Sequence, residues 1–240
     1  MVWKARPSLR SGGLFIGRGN AKLCLARVSG GTDEPVQTGR RQRCRYAVIQ
    51  PNYRGSTGYG TAFEKLGDGQ WGLKMQDDLL DAVSWAAREG IADDKRVCIV
   101  GASYGGYAAM RGAQRDGSHY RCAVSFAGVS DLSGILRYDR KFLLGKEASR
   151  YWKAQATDFT AVSPRFHAGE FGAPILLVHG VEDKRVPVAQ SRQLNEELRK
   201  AGKPVDYIEQ PLGDHHFTRE ADRLQFLKAM KSFLDRYNPS

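Results

Sequence analysis

The sequence predicts an α/β fold with a mostly parallel sheet and helices on both faces. Two observations carry this prediction. From Tyr46 onward, short apolar runs alternate with longer segments that have helical periodicity. The apolar runs are continuous rather than alternating with polar residues, which is typical of strands buried on both faces.

Five apolar runs predict the strands of this sheet, and turn residues or charges flank them. They cover residues 46–50, 95–103, 121–129, 173–180 and 205–211. Helices are predicted at 75–89, 104–115, from Pro187 to about Ala201, and from Thr218, the predicted N-cap of the last helix. Residues 130–172 are irregular, with helical pieces. The predicted buried side of the last helix comprises Leu224, Leu227, Phe233 and Leu234.

Composition favours a globular protein, with 41% hydrophobic and 26% charged residues. No apolar stretch approaches the roughly 18 residues that span a bilayer, and no apolar run of signal-peptide length follows the first basic residues. We therefore expect no membrane association and a cytoplasmic location. The four cysteines form no CxxC pair, so no zinc site is predicted. Cys98 and Cys122 lie in apolar runs and are predicted to be reduced, buried thiols.

The positive charge is concentrated at the N-terminus. Residues 1–45 contain ten of the 37 Lys and Arg residues but only two acidic residues, Asp33 and Glu34. The net charge of +11 is therefore mainly a property of this segment. Because the segment lacks the interleaved aromatic residues of a single-strand binder, we do not expect a nucleic-acid partner. The sequence divides into an atypical basic segment, 1–45, and a folded domain, 46–240.

A candidate nucleophile lies between the second predicted strand and the helix that follows it. Residues 101–105 read Gly-Ala-Ser-Tyr-Gly, a G-x-S-x-G pattern with Ser103 at its centre. Such a serine occupies a sharp, strained turn in which larger flanking side chains would collide with the backbone. The alternative is a glycine-rich turn with an unreactive serine, and the strand before and helix after Ser103 favour the catalytic interpretation.

A catalytic serine needs a base and an acid that orients the base. Asp183 follows the strand 173–180, and His215 and His216 follow the strand 205–211. Since active sites of open parallel sheets lie beyond the strands' carboxyl ends, these loops can converge on Ser103. Spacing does not choose between the two histidines, and Asp131 is a second candidate for the acid. His119, His167 and His179 are better interpreted as structural or surface residues.

Residues 46–238 resemble the catalytic domain of the prolyl oligopeptidase family of serine peptidases, on its dipeptidyl and acylaminoacyl peptidase side. The matching segments are PNYRGSTGYG (51–60), WGLKMQDDLLDAV (71–83), GASYGGYAA (101–109), SPRFHAGEFGAPILLVHGVEDKRVPVAQS (163–191) and GDHHFTREADRLQFLKAMKSFLDRYNP (213–239). The resemblance implies an α/β-hydrolase fold and catalysis without a metal or cofactor. It also identifies His215 as the base, preceded by the acidic Asp214 and followed by the bulky His216.

The resemblance further implies a substrate pocket beside Ser103. The backbone N–H of Tyr104 would donate to the oxyanion, and the Tyr104 ring would wall the pocket for the residue before the scissile bond. Val129 and Leu132 match pocket-lining positions more loosely. The expected partner is therefore a peptide or acyl-peptide substrate, while the sequence does not specify the substrate or the oligomeric state.

The N-terminal part departs from this family. Members carry a β-propeller before the catalytic domain and a strand that ends in an HGGP-like oxyanion loop, and the sequence contains no such loop. We expect residues 1–44 to be a propeller remnant or unrelated sequence joined after a deletion or frame shift. The alternative is that GLFIG or AKLCLARV replaces the strand in a divergent enzyme.

The predicted function is a serine-type peptidase that acts through Ser103, His215, Asp183 and an acyl-enzyme. Loss of an oxyanion donor costs roughly 2.7–4 kcal/mol of transition-state stabilisation, so we expect weak or absent activity. The alternatives are an esterase with the same triad, or an inactive fragment or pseudo-enzyme.

Overall fold

The computed structural model describes residues 22–27, 46–142 and 145–239. Within them, six strands form one sheet. The strands are β1 (Lys22–Arg27), β2 (Tyr46–Ile49), β3 (Val97–Ala102), β4 (Cys122–Phe126), β5 (Ile175–Gly180) and β6 (Val205–Gln210). The last five confirm the five predicted strands.

Eight α-helices lie in the same part of the chain. They are α1 (Thr61–Lys65), α2 (Lys74–Arg88), α3 (Tyr104–Arg115), α4 (Leu132–Asp139), α5 (Gly145–Gln155), α6 (Phe159–Val162), α7 (Ala189–Lys200) and α8 (Glu220–Tyr237). Short 3₁₀ helices cover Gly117–His119 and Pro164–Glu170. No helix among the described residues is long and apolar enough to cross a membrane.

The sheet has the order β2-β1-β3-β4-β5-β6. Strands β3, β4, β5 and β6 pair in parallel, each with the next. Because these four strands run in the same direction, the loops that follow them meet at one edge of the sheet, which we call the carboxyl edge. This arrangement confirms the predicted mostly parallel sheet.

Strand β1 is the exception, since it pairs antiparallel with both β2 and β3. Cys24 lies opposite Ile49 on one side and Ile99 on the other, so β1 fills the position between two strands that follow it in sequence. Part of the segment AKLCLARV therefore forms an interior strand of the sheet, and its replacement of the family's strand stays a prediction. The GLFIG segment of the same alternative lies outside the described residues.

Two apolar layers cover the faces of the sheet. On one face, α2, α3 and α7 pack over side chains that include Ile99, Ala123 and Leu177. On the other, α8 packs over alternate residues of the same strands, such as Val124 and Leu176. Burial on both faces explains why the strand sequences are continuous apolar runs.

Helix α8 differs from its prediction in two respects. It begins at Glu220 after Arg219, and the Thr218 hydroxyl donates to the Asp214 carboxylate instead of capping the helix. Its buried side comprises Phe226, Met230, Phe233 and Leu234. The predicted burial of Leu224 and Leu227 is therefore wrong, because the side that packs on β4 and β5 is rotated away from these two exposed leucines.

The prediction that Cys98 and Cys122 are reduced is also wrong. Parallel pairing places Cys98 on β3 directly opposite Cys122 on β4, with a Cα–Cα distance of 4.7 Å. This distance lies within the range that a disulfide can bridge, and the two sulfurs are bonded. The bond ties the strand that leads to Ser103 to its neighbour.

We expect thiol titration in denaturant to find one pair of thiols fewer before reduction than after it. Closing a loop of 24 residues stabilises the folded state by roughly 3 kcal/mol, so reduction should lower the free energy of unfolding by about that amount. A Cys98→Ala/Cys122→Ala double variant is the control, because its stability should not respond to reduction. Equal thiol counts with and without reductant would contradict the disulfide.

Candidate active site

The carboxyl edge contains three strained backbone positions. Among the described residues, the non-glycine residues with positive φ are Ser103 (57°), Ala127 (49°) and Phe217 (52°). Ser103 and Ala127 directly follow β3 and β4, and Phe217 lies in the loop after β6. Each such conformation costs on the order of 1–3 kcal/mol and persists only where the surrounding structure enforces it. Their grouping at one edge points to a functional site.

Ser103 forms the corner between β3 and α3, as the G-x-S-x-G pattern predicts. Its φ and ψ are 57° and −117°, and its backbone N–H donates to the Phe126 carbonyl over 2.9 Å. A Cβ at Gly101 would lie 2.1 Å from the Gly105 carbonyl oxygen, so only glycine permits this sharp turn. Helix α3 begins at the next residue, which directs the positive end of its dipole toward the serine.

Asp183 lies in the loop after β5 and is almost fully buried. Its Oδ1 accepts hydrogen bonds from the backbone N–H groups of Arg185 and Val186, at 2.9 and 2.8 Å. Its Oδ2 accepts from His215 Nδ1 at 2.7 Å. Burial raises the pKa of this carboxyl, but the hydrogen bonds from His179, His215 and Val186 outweigh burial and hold the pKa well below its usual range. Asp183 is therefore a buried carboxylate.

His215 lies in the loop after β6. Because Asp183 is ionised and can only accept, the His215 proton lies on Nδ1, and Nε2 is left as the basic atom. No hydrogen bond joins Ser103 to His215 within residues 46–142 and 145–239. The structure thus brings His215 and Asp183, the candidate base and acid, into contact at the edge where Ser103 lies.

Two contacts fix the histidine loop. The Phe217 ring stacks on Phe126 of β4 with 3.6 Å between ring centroids. Asp214 Oδ1 accepts from the backbone N–H groups of His216 and Thr218, both at 3.0 Å. Phe126 also holds the Ser103 backbone, so one aromatic residue links the serine corner to the histidine loop. Sequence analysis did not identify Phe217, although its apolar ring beside two histidines was a usable signal.

The other candidate residues have different partners. Asp131, the second candidate for the acid, caps α4 through Gly134 N–H and pairs with Arg165 at 3.0 Å. The His216 ring meets the His215 ring edge-on, with 5.3 Å between the ring centroids. Of the candidates for the acid and the base, Asp183 and His215 are therefore the two that contact each other. His167 pairs with Glu170 near the surface.

Aromatic side chains pack beside Ser103. The Tyr104 ring stacks on Tyr53 at 5.7 Å and meets the edge of Trp71 at 4.1 Å. Burial raises the Tyr104 pKa well above its usual value, so the hydroxyl stays neutral. Val129 and Leu132 lie in the adjoining core, and the Leu132 side chain has no exposed surface. A pocket-lining role for these two residues stays a prediction. Sequence analysis missed Tyr53 and Trp71, although both lie in segments quoted above.

A metal ion at the candidate site would need a group of side chains able to bind it. Among the described residues, no group of His, Cys, Asp and Glu side chains is arranged to hold a metal ion.

The low pKa of Asp183 predicts acid sensitivity. A carboxyl whose pKa is lower when folded stabilises the fold above its unfolded pKa of about 3.9 and loses this contribution as the pH falls below that value. Between pH 6 and pH 3, Asp183→Asn should therefore lose less free energy of unfolding than the parent chain, as measured by urea denaturation. The exposed Asp94→Asn is the control. An equal loss in all three proteins would contradict this role of Asp183.

Comparison with known proteins places this geometry in context. The sequence pattern of the prolyl oligopeptidase family matches residues 42–239. The chain is 35% identical over 202 residues to dipeptidyl aminopeptidase BIII of Pseudoxanthomonas mexicana, covering 79% of this chain and 28% of that protein. It is 32% identical over 199 residues to dipeptidyl peptidase family member 6 of Caenorhabditis elegans, covering 80% of this chain and 27% of that protein.

Solved structures agree with the sequence matches. An acylaminoacyl peptidase of Pyrococcus horikoshii superposes with a TM-score of 0.70 at 27% identity, over 81% of this chain and 32% of that one. A puromycin-hydrolyzing peptidase of Mycobacterium tuberculosis gives the same TM-score and identity over 80% and 29%. The chain spans less than a third of the length of these proteins, and the predicted α/β-hydrolase fold is confirmed. The chain belongs to the prolyl oligopeptidase family of serine peptidases.

Proposed function

We propose that this chain is a catalytic domain that hydrolyses peptide or acyl-amino acid bonds through Ser103, His215 and Asp183. The observation that carries the proposal is the 2.7 Å contact between His215 Nδ1 and Asp183 Oδ2, at the edge of the sheet where Ser103 forms a strained corner. The proposal extends to this chain the peptidase activity named for its relatives.

In the proposed mechanism, Ser103 Oγ attacks the acyl carbon while His215 Nε2 accepts its proton. Asp183 orients the imidazole and stabilises the imidazolium that forms. His215 then gives the proton to the leaving amine, which leaves an acyl group on Ser103. A water molecule, deprotonated by His215, releases the acid and restores the serine. The Ser103–His215 hydrogen bond forms when substrate fills the site, since catalytic hydrogen bonds often tighten only in the complex.

Oxyanion stabilisation would limit the rate. The first-turn N–H of Tyr104, at the start of α3, is the proposed donor. The sequence has no HGGP-like loop to supply a second donor. Strand β1 takes the position beside β3 but runs antiparallel, so its carboxyl end lies at the opposite edge of the sheet from Ser103. A missing donor lowers kcat by roughly 10²–10³-fold.

Covalent labelling tests the nucleophile and the base. A fluorophosphonate probe should label the parent chain, and Ser103→Ala should abolish labelling. His215→Gln should slow labelling by roughly 10²–10⁴-fold, because the general base is lost. The controls are His216→Gln, at the adjacent ring, and Ser118→Ala, an exposed serine; both should react at the parent rate. Absence of labelling in the folded parent chain would favour the inactive-fragment alternative.

Esterase activity is the second candidate, and the missing HGGP-like loop favours it. An ester has a better leaving group than an amide, so its hydrolysis depends less on a complete oxyanion hole. With one acyl group presented as a nitroanilide and as a nitrophenyl ester, we expect ester turnover that disappears in Ser103→Ala and much slower amide turnover. Amide hydrolysis as fast as ester hydrolysis would contradict an incomplete oxyanion hole.

A further inference from the structure

A second imidazole lies against the carboxylate that contacts His215. His179 is the second-last residue of strand β5 and has no exposed surface. Burying a polar ring is costly unless both nitrogens find partners. His179 Nδ1 lies 2.7 Å from Ser191 Oγ on α7, and Nε2 lies 2.8 Å from the Val186 carbonyl oxygen. The ring is therefore fully hydrogen-bonded, as expected of a structural histidine.

These partners determine the tautomer of His179. A carbonyl oxygen can only accept, so Nε2 must carry a proton and donate it to Val186. In the neutral ring Nδ1 is then the acceptor, and the Ser191 hydroxyl donates to it. The Val186 carbonyl thus places the N–H on Nε2, and Ser191 holds the opposite side of the ring.

The same nitrogen lies close to the proposed catalytic acid. His179 Nε2 lies 3.4 Å from Asp183 Oδ2, the oxygen that accepts from His215. Two imidazoles therefore flank one carboxylate oxygen, while Oδ1 is held by backbone N–H groups that include that of Val186. Val186 donates to Asp183 and accepts from His179, which closes a ring of contacts around the carboxylate.

The charged group next to His179 on the neighbouring strand has other hydrogen-bond partners. Glu209 lies opposite His179 on β6, and hydrogen bonds from Arg192 and Tyr207 occupy its carboxylate. The Arg192 hydrogen bond outweighs burial and lowers the Glu209 pKa to about 2, so Glu209 is ionised. Among the described residues, Asp183 is the carboxylate that pairs with the His179 ring.

We propose that His179 is a positioning residue, which holds the Asp183 carboxylate in the orientation that accepts the hydrogen bond from His215 Nδ1, and that Ser191 holds the His179 ring in the position that does so. The proposal rests on the proposed function, because it assigns His179 a role through Asp183 and His215. From the sequence we expect His179 to be a structural residue, and the proposal gives it a specific role in the reaction as well.

The test compares His179→Leu, which removes the donor, with His179→Gln, whose side-chain amide can still donate at the position of Nε2. The first readout is the ¹H NMR signal of the His215 Nδ1 proton in histidine-labelled full chain, which requires no turnover. We expect this signal to be lost or exchange-broadened in His179→Leu and retained in His179→Gln. The second readout is the rate of fluorophosphonate labelling, expected to fall roughly 10–100-fold in His179→Leu, the cost typical of losing an outer partner of a functional histidine.

Ser191→Ala is a second route to the same result if His179→Leu does not fold. It removes the hydroxyl that holds the His179 ring in place, and Ser191→Thr, which keeps a hydroxyl, should restore both readouts. His167→Leu, outside the site, is the matched control. A folded His179→Leu or Ser191→Ala protein with an unchanged His215 proton signal and an unchanged labelling rate would overturn the proposal.

The experiments distinguish failure of the proposed function from failure of the proposed role of His179. If the parent chain does not react with the probe, the proposed function fails, while the NMR comparison still measures whether His179 orients Asp183 toward His215. If the parent chain reacts and neither readout responds to loss of the His179 donor, only the positioning role fails.

Discussion

Parallel pairing of β3, β4, β5 and β6 is the constraint on which the candidate site depends. It places the ends of all four strands at one edge, and three of the loops that follow them carry Ser103, Asp183 and His215. No contact between these loops alone would bring residues so distant in sequence together. The apolar layers on both faces stabilise the sheet, and the sheet in turn positions the three loops of the candidate site.

Strain and packing are balanced at this edge. Ser103, Ala127 and Phe217 adopt backbone conformations that are unfavourable by themselves. Phe126 offsets part of this cost, because its carbonyl accepts from Ser103 and its ring stacks on Phe217. The serine corner and the histidine loop therefore share one support on β4, and a change at Phe126 would affect both.

The first turn of α7 links the loop after β5, which contains Asp183, to the loop after β4. Gln190 accepts hydrogen bonds from the backbone N–H groups of Ser130 and Asp131, at 2.8 and 2.7 Å. Its neighbour Ser191 holds His179 beside Asp183. Two consecutive polar side chains thus fix two neighbouring loops, which explains why these buried polar residues interrupt an otherwise apolar layer.

The sequence by itself determined the alternation of strands and helices, the serine corner and the candidates Asp183 and His215, because periodicity, glycine spacing and chain order are local or ordinal properties. Only the tertiary structure decided which acid contacts the histidine, since Asp131 and Asp183 differ in partners that lie far away in sequence. The same holds for the direction of β1 and the Cys98–Cys122 bond, which follow from pairing between strands. Register between distant segments leaves no signal within either segment, so it becomes known only when the sheet is assembled.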